Sequence, residues 1–165
     1  VLCNINFSRP LLALARQHGM TVATDVHAIA DLGDPYNADF MRAADILFMS
    51  HERLPAPPEA WAAAVQARYH NTIAVIGLGA EGALLAVKGE TPVHVPAVFT
   101  RPVVNTIGAG DALFSAFLHV YMQSGHPYLA LRKAVVFASY KIGAAGAAEG
   151  FLDGAGLEGG WGKQI

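Results

Sequence analysis

The stretch Asn105-Thr106-Ile107-Gly108-Ala109-Gly110-Asp111-Ala112 has the residue types for chemistry. Two glycines flank an alanine, and an acid follows. Then Leu113, Phe114, Phe117 and Leu118 recur at helical spacing. Small residues at a helix start leave backbone N–H groups accessible, and with the helix dipole these form an anion site. A developing phosphoryl charge suits such a site, because the donors are fixed before reaction. Asp111 falls in the first turn of the same helix, where it could take a proton from an attacking hydroxyl. From the residues alone, a tight turn followed by an ordinary first-turn acid explains the pattern equally well.

A second glycine cluster, Gly77-Leu78-Gly79-Ala80-Glu81-Gly82, follows the apolar run Thr72–Ile76 and fits G-x-G-x-x-G. A dinucleotide fingerprint must open a helix and meet an acid roughly 20 residues on. Here Ala83–Val87 reads as a strand, and no acid occurs between Thr91 and Gly110. The glycines therefore read either as a strand-to-strand turn or as a loop whose backbone can approach a ligand closely. A third stretch, Val136–Gly146, is rich in small residues that allow close helix packing. Lys141 within it reads as an exposed helix lysine, or as one that approaches a phosphate.

The remaining candidates are weaker. Ser115 and His119 share a helix face, but the sequence supplies no third member to orient them. His51 and His70 have no partner at metal-ligand spacing, and no metal-binding residues are assigned. Cys3 is expected to be a small buried apolar residue. Trp61 and Phe117 read as core.

These groups need elements to hold them. Val1–Phe7 reads as a strand. Ser8 then caps a helix that has Pro10 in its first turn and ends at Gly19. Thr21–Asp25 is a strand with Asp25 at its carboxyl end. Asn37–Ala44 is a helix, Ile46–Met49 a strand, Glu59–Tyr69 a helix and Thr72–Ile76 a buried strand. Ala83–Val87 and Val93–Val95 are strands joined by a turn, and Ala109–Gln123 and Tyr128–Ala145 are helices. Gly150–Ile165, with six glycines, reads as a flexible tail. Alternating strands and helices predict an α/β fold with a mostly parallel sheet, whose chemistry sits beyond the carboxyl ends of the strands.

The bulk properties agree with a buried sheet. Over 165 residues, 53% are hydrophobic and 15% charged. A formal net charge of −2 carries no basic field for nucleic acid or an anionic membrane surface. The apolar run Ala134–Ala148 is interrupted by Lys141 and is too short to span a bilayer. One cysteine excludes a disulfide framework, and a reducing cytoplasm is the expected setting.

Asn105–Asp111 resembles the second signature of the PfkB/ribokinase family of sugar kinases, D-T-x-G-A-G-D, with Thr106, Gly108, Ala109, Gly110 and Asp111 in place and Ile107 at the free position. The likeness extends through the start as far as Asp25, the strand Ile46–Phe48, the loop Gly77–Gly82 and the segment Ala138–Gly146, all in the family's order. It implies a three-layer, ribokinase-like α/β sandwich. The chain would be its carboxy-terminal, nucleotide-binding and catalytic half, with the amino-terminal part and lid outside it. It also implies that Asp111 is the base for a sugar hydroxyl and that the N–H groups of Gly108, Ala109 and Gly110 form the anion hole. Gly77, Gly79, Gly82, Thr106 and Ser139 would lie on the nucleotide side, Ser139 beside the adenine. ATP and Mg²⁺ are the implied cofactors, with K⁺ as the monovalent cation that this loop helps to hold in several members. The full-length protein would act on a small sugar and would form a homodimer.

Four positions depart from the family pattern. Asn105 stands in place of Asp. Ser50 and Arg53 stand where many members have the Asn and Glu of N-x-x-E, with Glu52 one residue early. His27 replaces Asn after Asp25 and reads as a solvated loop histidine. The other readings are a nucleoside or vitamin-precursor kinase on the same fold, or a non-catalytic nucleotide-binding relative.

Overall fold

A computed structural model describes residues 1–156. Its helices are α1 (Arg9–Gln17), α2 (Ala38–Ala43), α3 (Pro58–Tyr69), α4 (Ala109–Ser124) and α5 (Pro127–Lys141). Its strands are β1 (Ala23–Ala28), β2 (Ile46–Ser50), β3 (Ile73–Gly77), β4 (Ala83–Val87) and β5 (Val93–Val95). The sheet has five strands in the order β1-β2-β3-β4-β5. β1 and β2 are parallel, as are β2 and β3, with Ile46 opposite Ile73 and Phe48 opposite Val75. The expected α/β architecture with a mostly parallel sheet is what the chain adopts.

The chain divides into two compact units. The first comprises Val1–Leu78 and Leu84–Val93; the second comprises Gly79–Ala83 and the chain from His94 onward. In the first unit, Ile46–Met49 of β2 and Ile73–Ile76 of β3 are continuous buried runs, as a parallel strand covered on both faces requires. Phe40, Met41, Leu47, Val65 and Ile76 are at the centre of its core. Trp61, Val65 and Tyr69 recur on one buried face of α3, as their spacing predicts. Buried Asn71 donates from Nδ2 to the carbonyls of Met41 and Ala44 at 2.9 and 2.6 Å, tying β3 to the end of α2.

In the second unit α4 packs on α5. Leu113, Ala116, Phe117 and Val120 are buried on α4; Ala130, Leu131, Ala134 and Val135 are buried on α5. The alanines let the two helices approach closely. Phe117 also stacks on Tyr121, with ring centroids 5.7 Å apart.

Some expectations fail locally. Val1–Phe7 is not a strand: it ends in a 3₁₀ turn at Asn6–Ser8, and Cys3 is exposed rather than buried. The Ser8 hydroxyl explains both differences. It bonds to the carbonyls of Cys3 and Ile5, so the chain curls on itself and Ser8 does not cap α1. Regular β1–β2 pairing runs from Ala23 to Asp25 and is interrupted before Ala28. His27 is exposed there, as expected, with φ of +58° and its N–H on Asp25 Oδ1 at 2.8 Å. Helix α5 stops at Lys141, four residues before the expected end. The flexible tail expected over Gly150–Ile165 lies outside the described residues from position 157 on. Leu152, Asp153 and Gly154 are placed against α4 and α5.

Candidate active-site loop

The loop before α4 is held at several points. The N–H groups of Val104 and Asn105 both donate to the Ile142 carbonyl, at 2.8 and 3.0 Å. Asn105 then works in two directions. Its Oδ1 accepts from the Ile107 N–H at 3.0 Å, closing a side-chain turn, and its Nδ2 donates to the Ala145 carbonyl at 2.8 Å. Gly108 is the N-cap residue of α4, with φ of +81°. A Cβ on Gly108 would lie 3.3 Å from the Ala147 carbonyl oxygen and 3.3 Å from Lys141 Cε. Conformation and space therefore both select glycine at this position.

The loop opens on an exposed helix start. Thr106, Ile107, Gly110 and Asp111 are exposed, and Asp111 occupies the first turn of α4. The Ala109 N–H already donates to the Thr106 carbonyl at 3.1 Å. The donors that helix geometry itself leaves over are those of the following first-turn residues, Gly110 and Asp111. This end of α4 can receive an anion beside a carboxylate.

Lys141 is not the exposed lysine that the sequence suggests. It is 1% exposed, and its Nζ donates to the Gly146 carbonyl at 2.9 Å. The early end of α5 causes this, because the chain turns after Lys141 and brings Gly146 back over the side chain. Turn hydrogen bonds from Gly143 to Tyr140 and from Ala144 to Lys141 replace the helical ladder. Ser139 is 6% exposed, and its hydroxyl accepts the Thr100 N–H at 3.0 Å and lies 3.1 Å from Thr100 Oγ1. Beside it, Arg101 donates from Nε to the Tyr140 carbonyl at 2.7 Å, with its guanidinium 3.9 Å from the centre of the Tyr140 ring. The Ser139 hydroxyl thus anchors the strap that leads into the loop.

Of the second glycine cluster, Gly77 ends β3 in the first unit and its carbonyl meets His51 Nδ1 at 2.9 Å. Gly79 and Gly82 belong to the second unit. Gly79–Glu81 forms a 3₁₀ turn, Gly82 passes against the backbone of Val95, and β4 follows. A strand after the cluster excludes the dinucleotide reading on the context it requires. In the first unit, Ser50 Oγ accepts the Glu52 N–H at 3.3 Å, and Glu52 and Arg53 are exposed beyond β2.

Ser115, His119 and Asp153 line one cavity of about 230 Å³. Ser115 donates to the Ala112 carbonyl at 3.3 Å, and His119 Nε2 lies 3.4 Å from Gln123 Nε2. These contacts tie both side chains to their own helix. Among the described residues no group of three or more His, Cys, Asp or Glu could hold a metal ion. No helix among them is long and apolar enough to cross a membrane. The sequence reading missed Lys141 and Arg101 as parts of this loop's support. A lysine among Ala, Gly and Ile in Val136–Gly146 was the signal available, since such surroundings offer it little water.

A sequence model described as the pfkB family of carbohydrate kinases matches residues 11–153. A deoxyribokinase from Salmonella typhi is 43% identical over 68 residues, which is 41% of this chain and 22% of that enzyme. The solved structure of a microbiome-derived acarbose kinase, Mak1, superposes with a TM-score of 0.89 at 30% identity, covering 98% of this chain and 54% of that one. A fructokinase double mutant from Vibrio cholerae, in fructose, ADP and potassium ion bound form, shares the fold with a TM-score of 0.74 at 20% identity, covering 91% of this chain and 53% of that one. The chain spans about half the length of these solved relatives.

Proposed function

Because this chain belongs to the pfkB family of carbohydrate kinases, we propose that it carries the catalytic loop of an ATP-dependent kinase that phosphorylates a hydroxyl of a small sugar. The observation that carries this reading is the closed loop Asn105–Asp111, with Gly108 in the left-handed conformation and Asp111 exposed in the first turn of α4. Asp111 is the base: it takes the proton of the sugar hydroxyl as that oxygen attacks the γ-phosphorus of ATP. The bond to the β–γ bridging oxygen breaks, and ADP leaves. The α4 N-terminus at Gly108–Gly110, where the Gly110 N–H is left over by helix geometry and the Ala109 N–H is turned to the Thr106 carbonyl, receives the charge on the transferred phosphoryl group together with the helix dipole. Gly77, Gly79 and Gly82 let the backbone approach the nucleotide, with Thr106 on the nucleotide side of the loop. Ser139 acts through Thr100 and so positions the segment beside the nucleotide. Mg²⁺ bound with the nucleotide would supply charge neutralisation for the phosphoryl transfer. The sugar kinases among its relatives support a sugar as the acceptor.

The test uses the full-length gene product and follows ATP consumption against a panel of sugars and nucleosides. One preferred sugar is expected. Asp111→Asn should keep nucleotide affinity and lose turnover on the order of 10²–10⁴-fold, the scale of a positioned base. Turnover of that variant at the parental rate would remove Asp111 from the role, and a preferred nucleoside would replace the sugar in this reading.

A further inference from the structure

The loop proposed to carry the reaction rests on a buried amine. Removing an ammonium from water is costly unless acceptors replace the water, so a buried lysine needs an oxygen facing it. Lys141 has the Gly146 carbonyl at 2.9 Å, and its Cε packs where a side chain on Gly108 would sit. One residue before Gly146, the Ala145 carbonyl accepts from Asn105 Nδ2. Two successive carbonyls of one turn are thus engaged by donors that belong to the chain itself.

A free monovalent cation needs the opposite arrangement. K⁺ is held by carbonyl and carboxylate oxygens that replace its hydration shell and converge on open space. Here Asn105 stands in the Asp position of the signature, so that carboxylate is absent and an N–H points at Ala145, while the carboxylate of Glu149 in the same turn is taken up by the Gly146 N–H at 3.0 Å. The Gly146 carbonyl already serves an ammonium. The residues present do not fit a potassium ion of the kind recorded in the solved fructokinase.

We propose that Lys141 is a tethered cation that takes the place of a free monovalent ion beneath the catalytic loop and makes the kinase indifferent to K⁺. Lys141 is a positioning residue. It fixes the turn after α5 against Gly108 and adds positive charge next to the N-terminus of α4, where the phosphoryl charge develops. The inference rests on the functional reading above and adds to it a specific independence from monovalent cations.

The experiment compares the full-length gene product in potassium chloride and in tetramethylammonium chloride at equal ionic strength. The parent should show the same kcat and KM in both salts to within about twofold, and the same thermal midpoint. Lys141→Met, of similar length and without charge, should lower kcat on the order of 100-fold with KM for the sugar little changed. Lys141→Ala opens the space, so K⁺ or methylammonium should restore turnover saturably and raise that variant's thermal midpoint but not the parent's. A parent that is active only with K⁺ overturns the proposal, whether or not the variants fold. So does Lys141→Met at the parental rate, or Lys141→Ala unresponsive to every cation. A parent that consumes ATP with no sugar overturns the functional reading itself, a separate result.

Discussion

Gly108 shows how much one residue can carry in this loop. It caps α4 at φ of +81°, and the place of its missing Cβ is bordered by Lys141 Cε and the Ala147 carbonyl. Gly108→Ala should therefore combine a backbone penalty of about 1–2 kcal/mol with a displaced loop. The urea midpoint should fall accordingly, and kcat of the full-length protein should drop on the order of 10²-fold as the anion-binding donors shift. Gly143 is constrained in a different way. A Cβ there would lie 2.1 Å from Arg101 Nε, the atom that donates to the Tyr140 carbonyl. The two positions can change only in order: Arg101 must shorten before position 143 can gain a side chain.

Elements were more legible than their ends. Strands β4 and β5 occupy the residues their patterns predict, and α2, α3 and α4 fall within a residue or so, because apolar periodicity is a property of many residues at once. The opening was misread because the Ser8 hydroxyl satisfies two carbonyls that a strand would have left for a neighbour. The end of α5 was misread because Ala144 and Ala145 suit a helix locally, whereas tertiary bonds to Arg101, Asn105 and Lys141 turn the chain. The loop itself was readable from its residues, but its support was not, since Lys141 looks alike in one dimension whether buried or exposed. The α4–α5 contact depends on small side chains such as Ala130 and Ala134, both fully buried. Ala134→Leu should destabilise the fold by about 1–3 kcal/mol through overpacking, read as a lower urea midpoint with an unchanged slope.

For the molecule as a whole, stability should follow burial rather than hydrophobicity. Phe40 is fully buried in the first unit, while Phe7 is 88% exposed. Phe40→Ala should cost about 3–5 kcal/mol in denaturant unfolding, whereas Phe7→Ser should stay within about 0.5 kcal/mol of the parent. Neither compact unit is continuous in sequence, because Gly79–Ala83 belongs with residues that begin only at His94. This has a consequence on the ribosome. The first unit has all of its residues once Val93 has emerged, but Gly79–Ala83 must wait for the residues that follow, since His94 Nε2 meets the Glu81 carbonyl at 2.7 Å and Gly82 lies against Val95–Ala97. At roughly 5–20 residues per second the wait is on the order of seconds, far longer than helices and hairpins take to form. The glycine-rich segment is then the last part of Val1–Val93 to find its place, and the nascent chain is most exposed to proteases there.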